Sequence, residues 1–120
     1  MPAKNYRDLI VWQKAMELVE EIYRETKCFP SEETYGLKMQ LRKASVSVPS
    51  NISEGQGRRS KGDFLHHLSI AHGSVREIET QILISDRLGY LKQGSMDRLM
   101  QKASEVGRLI TGLSNTVINQ

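Results

Sequence analysis

The sequence predicts an all-α protein, an antiparallel up-down-up-down four-helix bundle forming one domain over residues 1–120. Three observations predict it. Four stretches place apolar residues at alternating three- and four-residue spacings, the mark of amphipathic helices. Only three prolines interrupt 120 residues. Strand signals are weak, and the breaks between stretches are short, which favours antiparallel neighbours.

The first helix runs from about Asp8 to Thr26. Leu9, Trp12, Met16, Val19 and Tyr23 form one apolar row, and Val11, Ala15, Leu18 and Ile22 form a second beside it. A face that wide can serve both a core and a subunit contact. Pro30 cannot continue this helix, and Ser31 can cap the next. The second helix carries Leu37, Leu41, Ala44, Val48 and Ile52, with Pro49 inside the pattern. Proline removes a backbone donor and crowds the carbonyl of Ser45, so a kink near Ser45–Pro49 is expected, or else a break into two shorter helices. Gly55, Gly57 and the Arg-Arg-Ser that follows mark its end.

Ser60-Lys-Gly-Asp63 resembles a capping box with Asp in the Glu position. The third helix then shows an unbroken series, Phe64, Leu68, Ala71, Val75, Ile78, Ile82 and Ser85, the pattern of a bundle seam. Gly89 suits a left-handed C′ position, with Tyr90 packing back. Ser95 can cap the fourth helix, along which Met96, Leu99, Ala103, Val106, Ile110, Leu113 and Val117 recur.

Composition narrows the function classes. A single cysteine, Cys28, permits no internal disulfide and suits a reducing, cytoplasmic setting. The start, Met-Pro-Ala-Lys-Asn-Tyr-Arg-Asp, lacks the apolar core of a leader peptide. No run of about 18 apolar residues predicts a membrane span. The net charge of +3 is mild, but it is concentrated. Residues 31–62 carry Lys38, Arg42, Lys43, Arg58, Arg59 and Lys61 against Glu32, Glu33 and Glu54, a net +3, and the rest of the chain balances.

That segment is the candidate site. Arg42, Lys43, Arg58, Arg59 and Lys61 are the candidate nucleic-acid-binding residues, the last three near a helix N-terminus that attracts phosphate. A solvated charge run is the plainer reading. Small polar residues from Ser45 onward crowd a helix where bundles place large apolar ones. Gln40, Asn51 and Glu54, with Arg42, are expected to form a buried polar network that fixes helix register, or alternatively to serve a ligand surface. His66, His67 and His72 do not make a metal site, because only one helix offers an Asp-x-x-His pair, and the first two read as surface residues. No phosphate loop, nucleophile elbow or other catalytic motif is present, so the chain reads as a binding protein, not an enzyme, with no cofactor.

Several strings resemble a known family: Phe29-Pro-Ser-Glu-Glu-Thr-Tyr-Gly-Leu37, Gln40-Leu-Arg-Lys-Ala44, Val46-Ser-Val-Pro-Ser-Asn-Ile-Ser-Glu-Gly55, Ile70-Ala-His-Gly-Ser74, Glu77-Ile-Glu-Thr-Gln81 and Leu88-Gly-Tyr-Leu91. Together they look like the four-helix-bundle proteins encoded in intervening sequences of 23S ribosomal RNA genes, over Trp12 to about Leu113. Lys43 stands where that family usually has a second Arg, Ser53 replaces a common Ala, and His66 and His67 lie outside its pattern. The resemblance implies a homo-oligomeric ring, commonly a pentamer. It also implies similarity to the accessory variability determinant of diversity-generating retroelements, which partners a reverse transcriptase and binds nucleic acid. Five copies of a +3 chain would carry +15. Two readings follow: a non-catalytic oligomer that binds RNA or DNA, or a protein-interaction adaptor for a neighbouring gene product such as a reverse transcriptase.

Overall fold

A computed structural model describes residues 5–120; the first four residues of the N-terminal stretch read above for a leader lie outside the described residues. A 3-10 turn at Tyr6–Asp8 leads into α1 (Ile10–Glu25), and a second at Ser31–Glu33 precedes α2 (Leu37–Gln56). Then come α3 (Lys61–Arg87) and α4 (Ser95–Ile118), with no strand among the described residues. Each helix packs on its two neighbours in the cyclic order α1, α2, α3, α4 and back to α1. Paired contacts run in opposite directions, Ser47–Ser74 and Asn51–His67 for α2 and α3, Lys61–Ile118 and Glu79–Ser104 for α3 and α4, Glu17–Lys102 and Glu25–Arg98 for α1 and α4, and the residues at the end of α1 meet Arg42 near the start of α2, so neighbouring helices are antiparallel.

The core is the set of expected stripes. α2 buries Leu41, Ala44, Val48 and Ile52; α3 buries Leu68, Ala71, Val75, Ile78, Ile82 and Ser85; α4 buries Leu99, Ala103, Val106, Ile110 and Val117. In α1 the row Val11, Ala15, Leu18 and Ile22 enters the core, whereas Met16 and Tyr23 of the other row are exposed and Trp12 and Val19 half-buried. Both rows are apolar, and the position of the neighbouring helices decides which one is covered.

The ends are built differently from the sequence expectation in two places. Ser31 does not cap α2. It opens the separate 3-10 turn, and Glu33 reaches forward to accept from the Leu37 amide at 2.9 Å. Ser95 does not cap α4 either. Gly94 takes the N-cap position at φ +86°, where a side chain is strained, and the Ser95 hydroxyl donates to Glu25 of α1 at 3.0 Å. The other two ends match. Ser60 accepts from the Asp63 amide at 3.0 Å. Gly89, at φ +78°, closes α3 with paired bonds, Tyr90 amide to Ser85 carbonyl and Gly89 amide to Asp86 carbonyl. Tyr90 then packs its ring against Phe29 at a tilt of 52° and donates its hydroxyl to Glu33 at 2.9 Å. That hydrogen bond raises the Tyr90 pKa above its usual value, because the carboxylate stabilises the protonated phenol.

α2 continues through Pro49 as one helix, so the break into two does not occur. Pro49 is buried against the neighbouring helices, and that packing offsets the missing bond to the Ser45 carbonyl.

Candidate nucleic-acid interface

The basic segment falls in two places rather than one, the start of α2 and the turn that follows its end. From Arg42 to Gln56, the last residue of α2, is 14 positions, which at 1.5 Å per residue is about 21 Å along the helix, and Arg58 lies beyond that end. Arg42 and Lys43 therefore lie near the end of the bundle where α1 finishes. Arg58 and Arg59 lie at the opposite end, in the turn between α2 and α3, and Lys61 opens α3 beside them.

At the α2–α3 turn most of the charge is committed. Arg58 pairs with Glu54 at 2.9 Å, both exposed. Lys61 donates to the carbonyls of Ile118 and Gln120, neutralising the negative end of α4. The N-terminus of α3 carries its own Ser60 cap and Asp63 in the first turn, which disfavours a phosphate there. Arg59 is exposed with no partner among the described residues.

At the other end the charge is left uncompensated. Arg42 donates from Nε to the Thr26 hydroxyl at 2.9 Å and from Nη2 to the Tyr23 carbonyl at 3.1 Å. Its guanidinium lies over the Tyr23 ring, 4.4 Å from the centroid. Every partner is neutral, so Arg42 is held rigidly while keeping its full charge. Lys38 and Lys43 stand beside it and have no partner among the described residues. Together with Tyr23, Thr34, Met39, Val46 and Ser47 they line an open groove of about 660 Å³ between α1 and α2. No carboxylate lines it.

Between these ends a polar seam joins α2 to α3. Asn51 Nδ2 donates to the Ser47 carbonyl at 2.9 Å and reaches the Ser47 hydroxyl at 3.1 Å; Ser74 donates to that hydroxyl at 2.9 Å. The amide thus presents Oδ1 to His67 Nδ1 at 3.0 Å, which makes Nδ1 the protonated ring nitrogen. The expected network is corrected accordingly. Asn51 belongs to it, but Gln40 and Glu54 do not: both are exposed, Gln40 lies 11 residues or about 16 Å from Asn51, and Glu54 turns to Arg58. Arg42 faces α1. His67, expected at the surface, is half-buried, because Gly55 lets α3 approach so closely that a Cβ there would sit 2.7 Å from His67 Cβ. No group of three or more His, Cys, Asp or Glu gathers as a metal cluster among the described residues.

Lys38, Tyr23, Met39 and Val46 were not among the expected site residues. The spacing of Lys38 and Arg42, four apart on one helix, was the available signal, since it puts two cations on one face. The pairing of Tyr23 with Arg42 depends on how α1 and α2 fold back on each other.

Comparison with known proteins fits this architecture. A family model described as 23S rRNA-intervening sequence protein matches residues 7–112. A crystal structure of a protein of unknown function from the S23 ribosomal protein family of Bacteroides thetaiotaomicron VPI-5482 is 21% identical, with a TM-score of 0.81 over 88% of this chain and 98% of that one. At that identity the likeness speaks for the fold alone. No curated protein matches the chain. No helix among the described residues is long and apolar enough to cross a membrane.

Proposed function

The chain belongs to the 23S rRNA-intervening sequence protein family, and from that premise we propose that it is a non-catalytic, ring-forming bundle that binds nucleic acid through the basic residues of α2 and the turn after it. The observation that carries this reading is the charge distribution. The entire formal excess of +3 falls in residues 31–62, one helix with its flanking turns. Nucleic-acid affinity is dominated by phosphate neutralisation, so this is the surface to which an anionic polymer is drawn. A single +3 chain is a weak binder; five copies in a ring repeat both basic ends and gain by multivalency.

Lys38, Arg42, Lys43 and Arg59 are the residues of this segment whose charge no acid cancels among the described residues, whereas Arg58 is paired with Glu54 and Lys61 is engaged with the end of α4. Fluorescence anisotropy with a structured RNA tests the reading. Binding at about 50 mM salt should weaken steeply towards about 200 mM, and Lys43→Ala with Arg59→Ala should flatten that dependence. No binding at the lower salt would refute it. Light scattering tests the ring, and a monodisperse monomer would remove it.

A second reading has its own support. The α1 row of Trp12, Met16, Val19 and Tyr23 is apolar yet only partly covered. Such a stripe suits a protein contact, either between copies or with the product of a neighbouring gene such as a reverse transcriptase. Recovery of one specific partner after nuclease treatment would favour that adaptor role.

A further inference from the structure

We propose that the groove between α1 and the first half of α2 binds a nucleoside phosphate, either free or as one unstacked nucleotide of a nucleic-acid chain. The proposal rests on the nucleic-acid reading for its ligand class and on the groove's own chemistry for its location.

The charge argument comes first. Lys38, Arg42 and Lys43 line one groove of about 660 Å³, and no carboxylate shares it. Glu33, in the turn before α2, is already engaged with the Leu37 amide and the Tyr90 hydroxyl. Lys38 and Arg42 are four apart on one helix face, an arrangement of like charges that works against the helix. A bound anion would relieve that repulsion. Arg42 is the best prepared of the three. The Thr26 hydroxyl and Tyr23 carbonyl orient it without neutralising it, and they occupy only two of its five N–H groups. A fixed guanidinium flanked by two mobile ammonium groups suits a phosphate, which accepts several charge-assisted hydrogen bonds at once.

The walls argue for more than a bare anion. Tyr23, Met39 and Val46 are 38%, 41% and 41% exposed, and all three face the same groove as the cations. Met39 and Val46 are seven residues apart, on one face of α2 with Lys43 between them. An apolar wall beside a cationic floor suits a ligand with a flat, weakly polar body and a phosphate at one end. The Thr34 hydroxyl in the lining adds a partner for a ring edge or a sugar hydroxyl. The volume is within the range of about 300–1,000 Å³ of small-molecule sites.

Calorimetry with 5′-AMP, adenosine and inorganic phosphate tests the site, alongside anisotropy of a labelled single-stranded oligoribonucleotide. AMP is expected to bind, with adenosine and phosphate each at least about tenfold weaker. Lys38→Ala with Lys43→Ala, or Lys43→Glu alone at an exposed position, should weaken AMP at least about tenfold, and Arg59→Ala at the far end should leave it unchanged. Competition between AMP and the oligonucleotide supports a chain nucleotide in the groove; AMP binding without competition supports a free nucleotide. Oligonucleotide binding with no AMP binding up to about 10 mM overturns the groove and spares the nucleic-acid reading. Lysine-dependent AMP binding without oligonucleotide binding does the reverse. AMP binding that ignores both lysine variants overturns the proposal.

Discussion

Gly55→Ala should destabilise the bundle although it improves the helix. Replacing glycine by alanine inside a helix is worth about 0.8–1.0 kcal/mol from propensity alone. At Gly55 the added methyl would sit 2.7 Å from His67 Cβ and 3.1 Å from Phe64 Cδ1. The first of these is anchored to the α3 backbone and cannot swing away, so α2 and α3 must separate. Overpacking of this kind costs about 1–3 kcal/mol. Separation also stretches the Asn51–His67 bond a turn away, worth about 1 kcal/mol. The net is a loss of about 1–3 kcal/mol. Gly73→Ala and Gly112→Ala are the controls, because both glycines are exposed, lie inside helices and would place a methyl in open space. Each should gain about 0.5–1 kcal/mol. Urea unfolding at one fixed protein concentration reads all three as midpoint shifts. If Gly55→Ala moves the midpoint upward as Gly73→Ala does, the close approach of α2 and α3 is not a constraint and the reasoning fails.

Three further outcomes follow from the same contacts. The folded state favours the protonated Tyr90 phenol, so that stability is present below the unfolded value of 10.0 and is lost as pH rises through the higher folded value. Wild type should therefore lose more stability than Tyr90→Phe above about pH 10, and parallel alkaline unfolding curves would contradict this. Gln81 Oε1 is the one buried side-chain acceptor without a partner among the described residues, so Gln81→Met should stabilise by about 1 kcal/mol in the same urea assay; an equal loss would mean the oxygen is satisfied in solution. Arg42→Lys keeps the charge but forfeits the bonds to Thr26 and Tyr23, and should cost about 1 kcal/mol in stability, whereas an unchanged midpoint would show that these bonds contribute nothing.

The helices were legible because burial repeats with the helix period: the seams of α3 and α4 face the core, with Phe64, Met96 and Leu113 only half-buried against it. What was not legible depends on neighbours. Two apolar rows on α1 differ only in which one α2 and α4 cover. The start of α2 was misplaced because a serine after proline is a generic cap signal, whereas the working cap is Glu33 reaching forward beside Gly36. The division of the candidate site was hidden in a similar way. Arg42 and Arg58 look close in a charge count, but the 14 helical positions from Arg42 to Gln56 alone span about 21 Å. The bonds of Arg42 to Thr26 and of Lys61 to the end of α4 span 16 and 57 or more positions, and nothing local announces them.

The division of α2 limits where binding can occur. Its middle is already spoken for: Ser47, Asn51, His67 and Ser74 satisfy one another, and opening them would leave half-buried polar groups unpaired. The far end has given up Arg58 to Glu54 and Lys61 to α4, which leaves Arg59 as the unpartnered cation of this segment there among the described residues. The near end keeps three cations, none paired with an acid, beside exposed apolar side chains. A purely structural role for Arg42 would be served as well by a carboxylate partner that cancelled its charge. Fixing the guanidinium with a hydroxyl, a carbonyl and an aromatic face instead preserves that charge in a defined direction, which is the arrangement an anion site requires. If the two ends act together on one polymer, the near end sets how a phosphate is oriented, and Arg59 adds attraction without geometry. Substitution at Arg59 should then alter the salt dependence of binding more than its preference among ligands.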